Sequence, residues 1–252
     1  MSNEALILSY GLILLAMALS HREKLGLGKD MLIGSLRAVV QLLAIGMVLS
    51  FLFDADHPVL TTLLLCVMLY TASGVAAQRG KEVPGARRIA CVSIAISMVV
   101  TLGTLVLCGA ITYRPSEVVP VGGMVAGQSM VAVGLLLRTL AGSFASRRAE
   151  VEARLALGAA PKEAAAVIIR DSLHTASAPM VDAMKTVGLV QLPGMMTGLI
   201  LAGVAPTEAI KYQIMVTFML TGAVVTASYA AAYQAYQGFF GLYGSVRQGT
   251  GD

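Results

Sequence analysis

The residues best suited to chemistry in this sequence are the few polar ones inside long apolar stretches. Arg37 and Gln41 are four apart, on one face of a predicted helix, and Gln128 lies near the middle of a later apolar run. An unpaired charge in a bilayer costs at least about 2.5–3.5 kcal/mol, so polar groups there line a pathway or bond between helices. For Arg37 we favour a structural role, such as reaching to the membrane surface.

A second set of polar and helix-breaking residues lies nearer the C-terminus. Asp182 and Lys185 are three apart on one predicted helix face. They pair with each other at the membrane boundary, which we favour, or gate the mouth of a pathway. Pro193-Gly194 should bend or interrupt its apolar run, because proline removes a backbone donor. We predict that this break contacts substrate or moves during transport.

Methionine is the residue type that could suggest a metal site. Thioether sulfur favours soft ions such as Cu(I), but methionine more often fills gaps in a core, and we favour that role. The metal ligands therefore stay unknown, and transient passage of an ion is favoured over a tight site. The weak candidates are Met124, Met130, Met195 and Met196.

Membrane helices must position these residues. The 252 residues are 57% hydrophobic and 13% charged, with a mean hydropathy of +0.79, which exceeds the range of soluble domains. The apolar runs are continuous and near the roughly 20 residues needed to cross a bilayer, which favours helices over a barrel. We predict an all-α, polytopic membrane protein, a single transmembrane domain over residues 1–252. Its seven runs are about 5–20, 31–53, 58–77, 89–113, 118–141, 187–204 and 210–236.

Basic residues are concentrated in the connections after the first, third and fifth runs. Cytoplasmic loops carry an excess of Lys and Arg, so the N-terminus is predicted outside and the C-terminus, with Arg247, in the cytoplasm. The predicted location is the plasma membrane, the inner membrane of the cell. The net charge of +4 indicates contact with anionic lipid, and no basic, aromatic-bearing region suggests nucleic acid.

The longest connection, about residues 143–185, has the pattern of a cytoplasmic helix-turn-helix. One helix should end near Gly158, and another should begin with Pro161 in its first turn. The second should bury one face and end near Arg170 and Asp171. The face consists of Ala164, Val167 and Ile168. Such a hairpin suits a soluble partner, although a solvated linker helix has the same pattern.

The same connection resembles the EAA loop of ATP-binding-cassette permeases, in the spacing of Glu152-Ala153, Gly158 and Pro161. In that family the loop forms a coupling helix that sits in a groove of the ATPase subunit. Arg170-Asp171 stand where importers usually have Leu-Pro. The resemblance implies that the coupling residues are Glu152, Ala153, Gly158, Ala159, Pro161, Arg170 and Asp171.

Nearly the whole chain resembles the FetB-type permeases. The segments that carry the resemblance include KLGLGKD (24–30), GMVAGQSMVAVGL (123–135), VGLVQLPGMMTGLILAG (187–203) and AIKYQIMVTFML (209–220). The family is implicated in iron export. Its plant relatives are implicated in aluminium tolerance and linked to a nucleotide sugar, so the resemblance leaves a metal ion or a nucleotide sugar as substrate.

A separate ATPase subunit is the partner that this resemblance implies. The chain contains no G-x-x-x-x-G-K-[ST] phosphate loop, so ATP and Mg would be bound by the partner and this chain would have no cofactor and no catalytic residue. Two ATPases closing around two nucleotides would match a homodimer of the permease.

Two other classes stay open. An integral membrane enzyme is disfavoured because H-E-x-x-H and G-x-S-x-G are absent, and an ion-gradient carrier because buried acidic residues are lacking. The G-x-x-x-G pairs Gly123/Gly127 and Gly194/Gly198 predict close helix packing.

Overall fold

The computed structural model of the protein describes residues 3–240, and their side chains except those of residues 3–9, 51, 54 and 55. Arg247 lies outside the described residues. The described chain is all-helical, as predicted, without a strand. The α-helices are α1 Asn3–Arg22, α2 Gly28–Ala55, α3 Pro58–Arg79, α4 Ala86–Leu107, α5 Pro115–Ser146, α6 Arg148–Ala156, α7 Pro161–Ala164, α8 Ala166–Thr186, α9 Gly194–Leu201 and α10 Pro206–Ala235, and a 3-10 turn follows over Tyr236–Phe239.

Five of the described helices are long and apolar enough to cross a membrane: α2, α3, α4, α5 and α10. Their most apolar windows have mean hydropathies of 1.6 to 2.4. The polytopic membrane class is thus confirmed, with five such helices by this criterion where seven runs were predicted. The fourth run ends earlier than predicted, at Leu107, because Gly109 adopts φ +68° and the chain turns there.

The sixth predicted span, residues 187–204, is not one helix. Gly188 has φ +83° and Pro193 is extended, so the backbone is non-helical between the end of α8 and the start of α9. At 1.5 Å per residue, the 8 residues of α9 extend about 12 Å, which is too short to cross about 30 Å of hydrocarbon. The predicted interruption at Pro193-Gly194 is confirmed. The prediction that residues 187–204 form a membrane span is not confirmed.

The chain divides into two units, Met1–His57 and Pro58–Asp252. In the first, α1 and α2 pack together, and the hydroxyls of Tyr10 and Ser35 lie 3.1 Å apart. In the second, α3, α4, α5, α8 and α10 pack around a core that includes the fully buried Ile94, Leu136 and Leu137.

Polar side chains also link the helices of the second unit. The Ser97 hydroxyl donates to the Ala223 carbonyl at 2.9 Å and lies 3.0 Å from the Ser129 hydroxyl, which joins α4, α5 and α10. Gln234 donates its amide hydrogen to the Ser93 hydroxyl at 3.2 Å. Hydrogen bonds between apolar helices replace those that water cannot make there.

Close helix approach within the second unit depends on glycines other than the predicted pairs. A Cβ atom built on Gly80 would lie 2.5 Å from the Cβ of buried Leu137. On Gly127, Gly194 or Gly198 it would meet nothing within 4 Å. The G-x-x-x-G spacing therefore does not predict the close contacts between these helices. The side of the helix on which a glycine lies decides whether it faces a neighbouring helix.

Candidate functional site

A cavity of about 320 Å³, the chamber, lies where the α8–α9 break meets α5 and α10. The break places the chamber there, because the non-helical residues leave space that a continuous helix would fill. Sequence-predicted residues from separate parts of the chain meet in it. Its wall consists of Met124, Gln128, Pro179, Met180, Ala183, Met184, Val187, Gln191, Pro193, Gly194, Met195, Gln213, Val216, Thr217 and Leu220.

The chamber wall carries amides, a hydroxyl and thioethers, and none of its lining residues is charged. The amides belong to Gln128, Gln191 and Gln213. The side-chain amide of Gln213 donates to the Thr217 hydroxyl at 3.3 Å, and that hydroxyl donates to the backbone carbonyl of Gln213 at 2.8 Å. These neutral groups can bind a solute weakly through dipoles, which suits passage better than tight retention.

The side-chain oxygen of Gln213 is a buried polar atom of the chamber wall that lacks a partner. It is buried and has no hydrogen-bond partner among the described residues. Leaving a buried acceptor without a donor costs about 1–3 kcal/mol, so this oxygen is a natural contact for a cation or for a donor on a solute. Gln213 was not predicted as a site residue from the sequence, although it is a glutamine within an apolar run, the same feature that indicated Gln128.

Four methionines, Met124, Met180, Met184 and Met195, border the chamber, and two of them were candidates from the sequence. The other two candidates lie elsewhere: Met130 packs against the hydrophobic core, and Met196 lines a neighbouring cavity of about 420 Å³ between the break and α10. Among the described residues, no group of three or more His, Cys, Asp or Glu side chains comes together to hold a metal.

The remaining polar candidates do not line the chamber of the second unit. Lys185 donates to Asp182 at 3.0 Å, and both side chains are about two-thirds exposed at 66% and 68%. The favoured interpretation, that these residues pair with each other, is therefore confirmed. Arg37 and Gln41 belong to α2 in the first unit, and both are exposed within the described structure.

The predicted hairpin is present as α6 and α7, and we call residues 148–164 the hairpin. α6 ends at Ala156, Gly158 adopts φ +91°, and Pro161 is the first residue of α7, as predicted. The Ala160 N–H donates to the Glu163 carboxylate at 3.2 Å, which caps the start of α7.

The second helix of the hairpin differs from the prediction. It ends at Ala164, and α8 starts two residues later and continues to Thr186, so Arg170 and Asp171 lie near the start of α8. The reason is that residues 166–178 contain neither glycine nor proline to end the helix. Ala164 and Ile168 are buried as predicted, whereas Val167 is 37% exposed.

Ion pairs fasten the hairpin to its neighbours. Arg147, between α5 and α6, donates two hydrogen bonds to Glu150, at 2.7 and 3.0 Å, and one to Asp171 at 3.2 Å. Arg154 also donates to Glu150, at 2.7 Å. The hydrogen bonds from Arg147 lower the pKa of the Glu150 carboxyl, with the charges of both arginines adding to the effect, and they raise the pKa of Arg147.

One face of the hairpin is buried and the other is exposed. Val151 is 1% exposed, while Glu152, Ala153 and Gly158 all face solvent. Leu157, beside the turn, is 88% exposed. Leu157 therefore adds an apolar side chain to the exposed face that Glu152, Ala153 and Gly158 form. The sequence analysis missed Leu157, because its place in an apolar-periodic helix resembles a core position.

Comparison with known proteins adds an independent result. The model of the "Uncharacterised protein family (UPF0014)" matches residues 3–240. The chain is 43% identical to the "Probable iron export permease protein FetB" of Escherichia coli (strain K12), over 95% of this chain and 92% of the relative. It is 40% identical to the "UPF0014 membrane protein STAR2" of Oryza sativa subsp. japonica, over 90% and 80%.

A second plant relative is the "Protein ALUMINUM SENSITIVE 3" of Arabidopsis thaliana, with 35% identity over 90% of this chain and 84% of the relative. No solved structure matches the chain. The matches cover nearly the whole sequence, so they confirm the resemblance to FetB-type permeases, and the chain belongs to the UPF0014 family of membrane proteins.

Proposed function

We propose that this chain is the permease subunit of an ATP-driven exporter, in which the hairpin docks a separate ATPase and the chamber is part of the transport path. The observation that carries the proposal is that one helix, α8, contacts the base of the hairpin and also lines the chamber. Near its start Asp171 is paired with Arg147 beside the hairpin, and nearer its end Met180 and Met184 line the chamber.

The length of α8 suits a mechanical link. Asp171 and Met180 are nine residues apart in one helix, about 14 Å along its axis. α8 also packs against α5 and α10, the two long helices that complete the chamber wall. A displacement of the hairpin by a closing ATPase would therefore move the chamber wall, as in other shear or hinge transitions.

Pro179 gives this link a flexible point beside the chamber. A proline inside a helix removes one backbone hydrogen bond and weakens the helix locally. The non-helical segment from Val187 to Pro193 begins where α8 ends. The chamber wall between α8 and α9 can therefore rearrange more easily than an intact helix. We infer that access to the chamber changes here.

The cargo that we propose first is a metal ion, with iron as the leading candidate because the Escherichia coli relative is named a probable iron export permease. The chamber lining offers amide and thioether acceptors and no Lys or Arg, which favours a cation over an anionic nucleotide sugar. Because the lining has no carboxylate or His, the ion would pass without a full set of hard ligands.

ATP and Mg would be bound by the partner subunit, and two permease chains would pair as a homodimer around a two-ATPase engine. The proposed location is the inner membrane with the hairpin in the cytoplasm, which agrees with the basic residues of that connection.

Co-purification with the candidate ATPase, followed by transport in reconstituted vesicles, tests this function. The variants Glu152→Lys and Leu157→Asp should lose ATPase binding and ATP-driven efflux while staying in the membrane. Glu152 is paired with Arg148 at 2.7 Å. Glu208→Lys is the matched control, since Glu208 is likewise paired with a neighbouring base, Lys211 at 2.8 Å. Normal ATPase binding by both hairpin variants would exclude the docking surface.

The same vesicles decide the cargo. Iron, other metal ions and nucleotide sugars are compared with ATP present and absent. ATP-dependent movement of iron supports the proposal. Movement of a nucleotide sugar alone would replace iron as the cargo, and energised movement without any ATPase would indicate a gradient-driven carrier.

A further inference from the structure

The end of α1, the connection that follows it and the start of α2, residues 20–29 together, border an open cavity of about 510 Å³ in the first unit. We call this cavity the loop pocket. Its wall consists of Ser20, His21, Lys24, Gly26, Gly28 and Lys29. The lining thus contains two ammonium groups, an imidazole and a hydroxyl, and it contains no carboxylate. All of these groups can donate hydrogen bonds, which is the composition of an anion site.

The start of α2 adds backbone donors to the loop pocket. The first helical bond recorded for α2 runs from the Met31 N–H to the Leu27 carbonyl, at 2.9 Å. The N–H groups of Gly28, Lys29 and Asp30 precede that bond, and Leu27 provides no side-chain cap. Unbonded N–H groups at the start of a helix of 28 residues favour a negative charge.

Ser20 is the second, independent observation. It lines the loop pocket, is only 2% exposed, and its hydroxyl has no hydrogen-bond partner among the described residues. Buried hydroxyls are normally hydrogen-bonded in native proteins, so an unpartnered one among residues that line a basic cavity favours an acceptor there. An acceptor oxygen in the pocket would satisfy it.

The charges next to the pocket are mixed and sum to a positive value. Glu23 lies in the connection and Asp30 in the first turn of α2, but neither is among the lining residues. Arg22, also outside the lining, adds a third fixed positive charge to those of Lys24 and Lys29. The carboxylates therefore reduce but do not cancel the attraction for an anion in the pocket.

We propose that the loop pocket binds the phosphate of an anionic phospholipid headgroup. The connection follows one apolar helix and precedes α2, whose segment Gly28–Ser50 is among the candidate membrane spans. A loop at the end of such a span lies at the bilayer surface, at the depth of the phospholipid phosphates. The site is independent of the ATPase, so it does not rest on the proposed function.

Lipid binding to the full chain tests the site. The purified protein, in detergent, is titrated with phosphatidylglycerol, phosphatidylcholine and inorganic phosphate, and bound lipid is counted by native mass spectrometry. Phosphatidylglycerol should bind in preference to phosphatidylcholine. Replacing both lysines with Lys24→Gln and Lys29→Gln should weaken phosphatidylglycerol binding by roughly thirtyfold, since each base near anionic lipid contributes about fivefold.

Ser20→Ala separates a built site from diffuse attraction, because it leaves the charge unchanged. It should weaken phosphatidylglycerol binding severalfold while leaving thermal stability in phosphatidylcholine unchanged or higher, since it removes an unpartnered hydroxyl. The matched charge control is the double variant Lys81→Gln and Arg88→Gln, which removes one base from the connection between α3 and α4 and one from the first turn of α4. That control should bind phosphatidylglycerol as the wild type does.

Three results would overturn the proposal. The first is wild-type phosphatidylglycerol binding by both the Ser20 variant and the double lysine variant. The second is an equal loss in the control. The third is inorganic phosphate binding that responds to these variants without any phosphatidylglycerol preference, which would assign the pocket to a soluble phosphate.

Discussion

The Arg147 guanidinium donates a hydrogen bond to the Asp171 carboxylate at 3.2 Å, across 24 residues of sequence. Arg147 lies between the end of α5 and the start of α6, and Asp171 lies near the start of α8. This contact therefore fixes the base of the hairpin to the helix whose other end borders the chamber. Besides the covalent join at Ala165, it is a second point at which movement of the hairpin would be transmitted to α8.

Asp171→Asn should therefore affect coupling far more than stability. The pair is partly exposed, with side-chain exposures of 32% and 59%, so its loss should cost at most about 1 kcal/mol of unfolding free energy. ATP-driven efflux should fall several-fold while the ATPase still binds. Asp182→Asn removes a comparable exposed ion pair on the same helix and should leave efflux unchanged. Equal efflux in the two variants would contradict a role for α8 as the link.

Acid should loosen the base of the hairpin through Glu150. Hydrogen bonds from Arg147 lower the Glu150 pKa in the folded protein, so its contribution to stability is present above the ordinary glutamate pKa. That contribution is lost as pH falls through the lowered value. Thermal unfolding from neutral to acid pH should show a smaller acid loss in Glu150→Gln than in the wild type.

Glu82→Gln is the control for the pH experiment, because Glu82 makes no ion pair among the described residues. Its acid profile should follow that of the wild type. Identical profiles for Glu150→Gln and the wild type would mean that the Arg147–Glu150 contact is not maintained in solution.

The chamber amides should matter for transport and little for folding. Gln213→Leu removes a buried oxygen that has no partner, so stability should stay within about 1 kcal/mol of the wild type or rise. Efflux should drop about tenfold or more if a cation meets that oxygen. Gln128→Leu should act in the same direction, since Gln128 also lines the chamber.

Met130→Leu is the matched control for the chamber variants. Met130 packs against the core outside the chamber lining, so a swap of similar volume should change stability by less than about 1.5 kcal/mol and leave efflux intact. Efflux assays on vesicles with equal protein content compare the three variants. Full efflux in Gln213→Leu and Gln128→Leu would remove the chamber from the path.

Gly80→Ala should destabilise the second unit. The added Cβ would lie 2.5 Å from the Leu137 Cβ, an atom that cannot move without its backbone, and overpacking of this kind costs about 1–3 kcal/mol. Gly127→Ala is the control. It would meet nothing within 4 Å and should be neutral or stabilising by up to about 1 kcal/mol, because alanine favours the helix. Unfolding midpoints in detergent measure both, and a greater loss in Gly127→Ala would refute the packing assignment.

Local features were predictable where one residue type dictates the backbone. Pro161 begins α7, Gly158 turns with a positive φ, and Pro193-Gly194 interrupts the sixth apolar run, all as the sequence indicated. In each case the reason is steric and lies within a few residues. Long apolar runs likewise predicted the helices α2 to α5 and α10, since hydrocarbon admits little else.

Relationships across the chain could not be read from spacing. The meeting of Gln128 with Gln213, the pairing of Arg147 with Asp171, and the contact of Gly80 with Leu137 each depend on how helices are rotated against one another. Helix rotation is set by the packing of whole faces, to which each residue contributes little.

The sequence by itself determined that this is a helical membrane protein of the FetB type whose longest connection turns between Gly158 and Pro161, because composition, glycine, proline and a family-wide resemblance act locally or over the whole chain. Only the tertiary structure decided that α8 runs unbroken from that hairpin to a chamber lined by uncharged groups, because side chains distant in sequence meet only when packed helices bring them together.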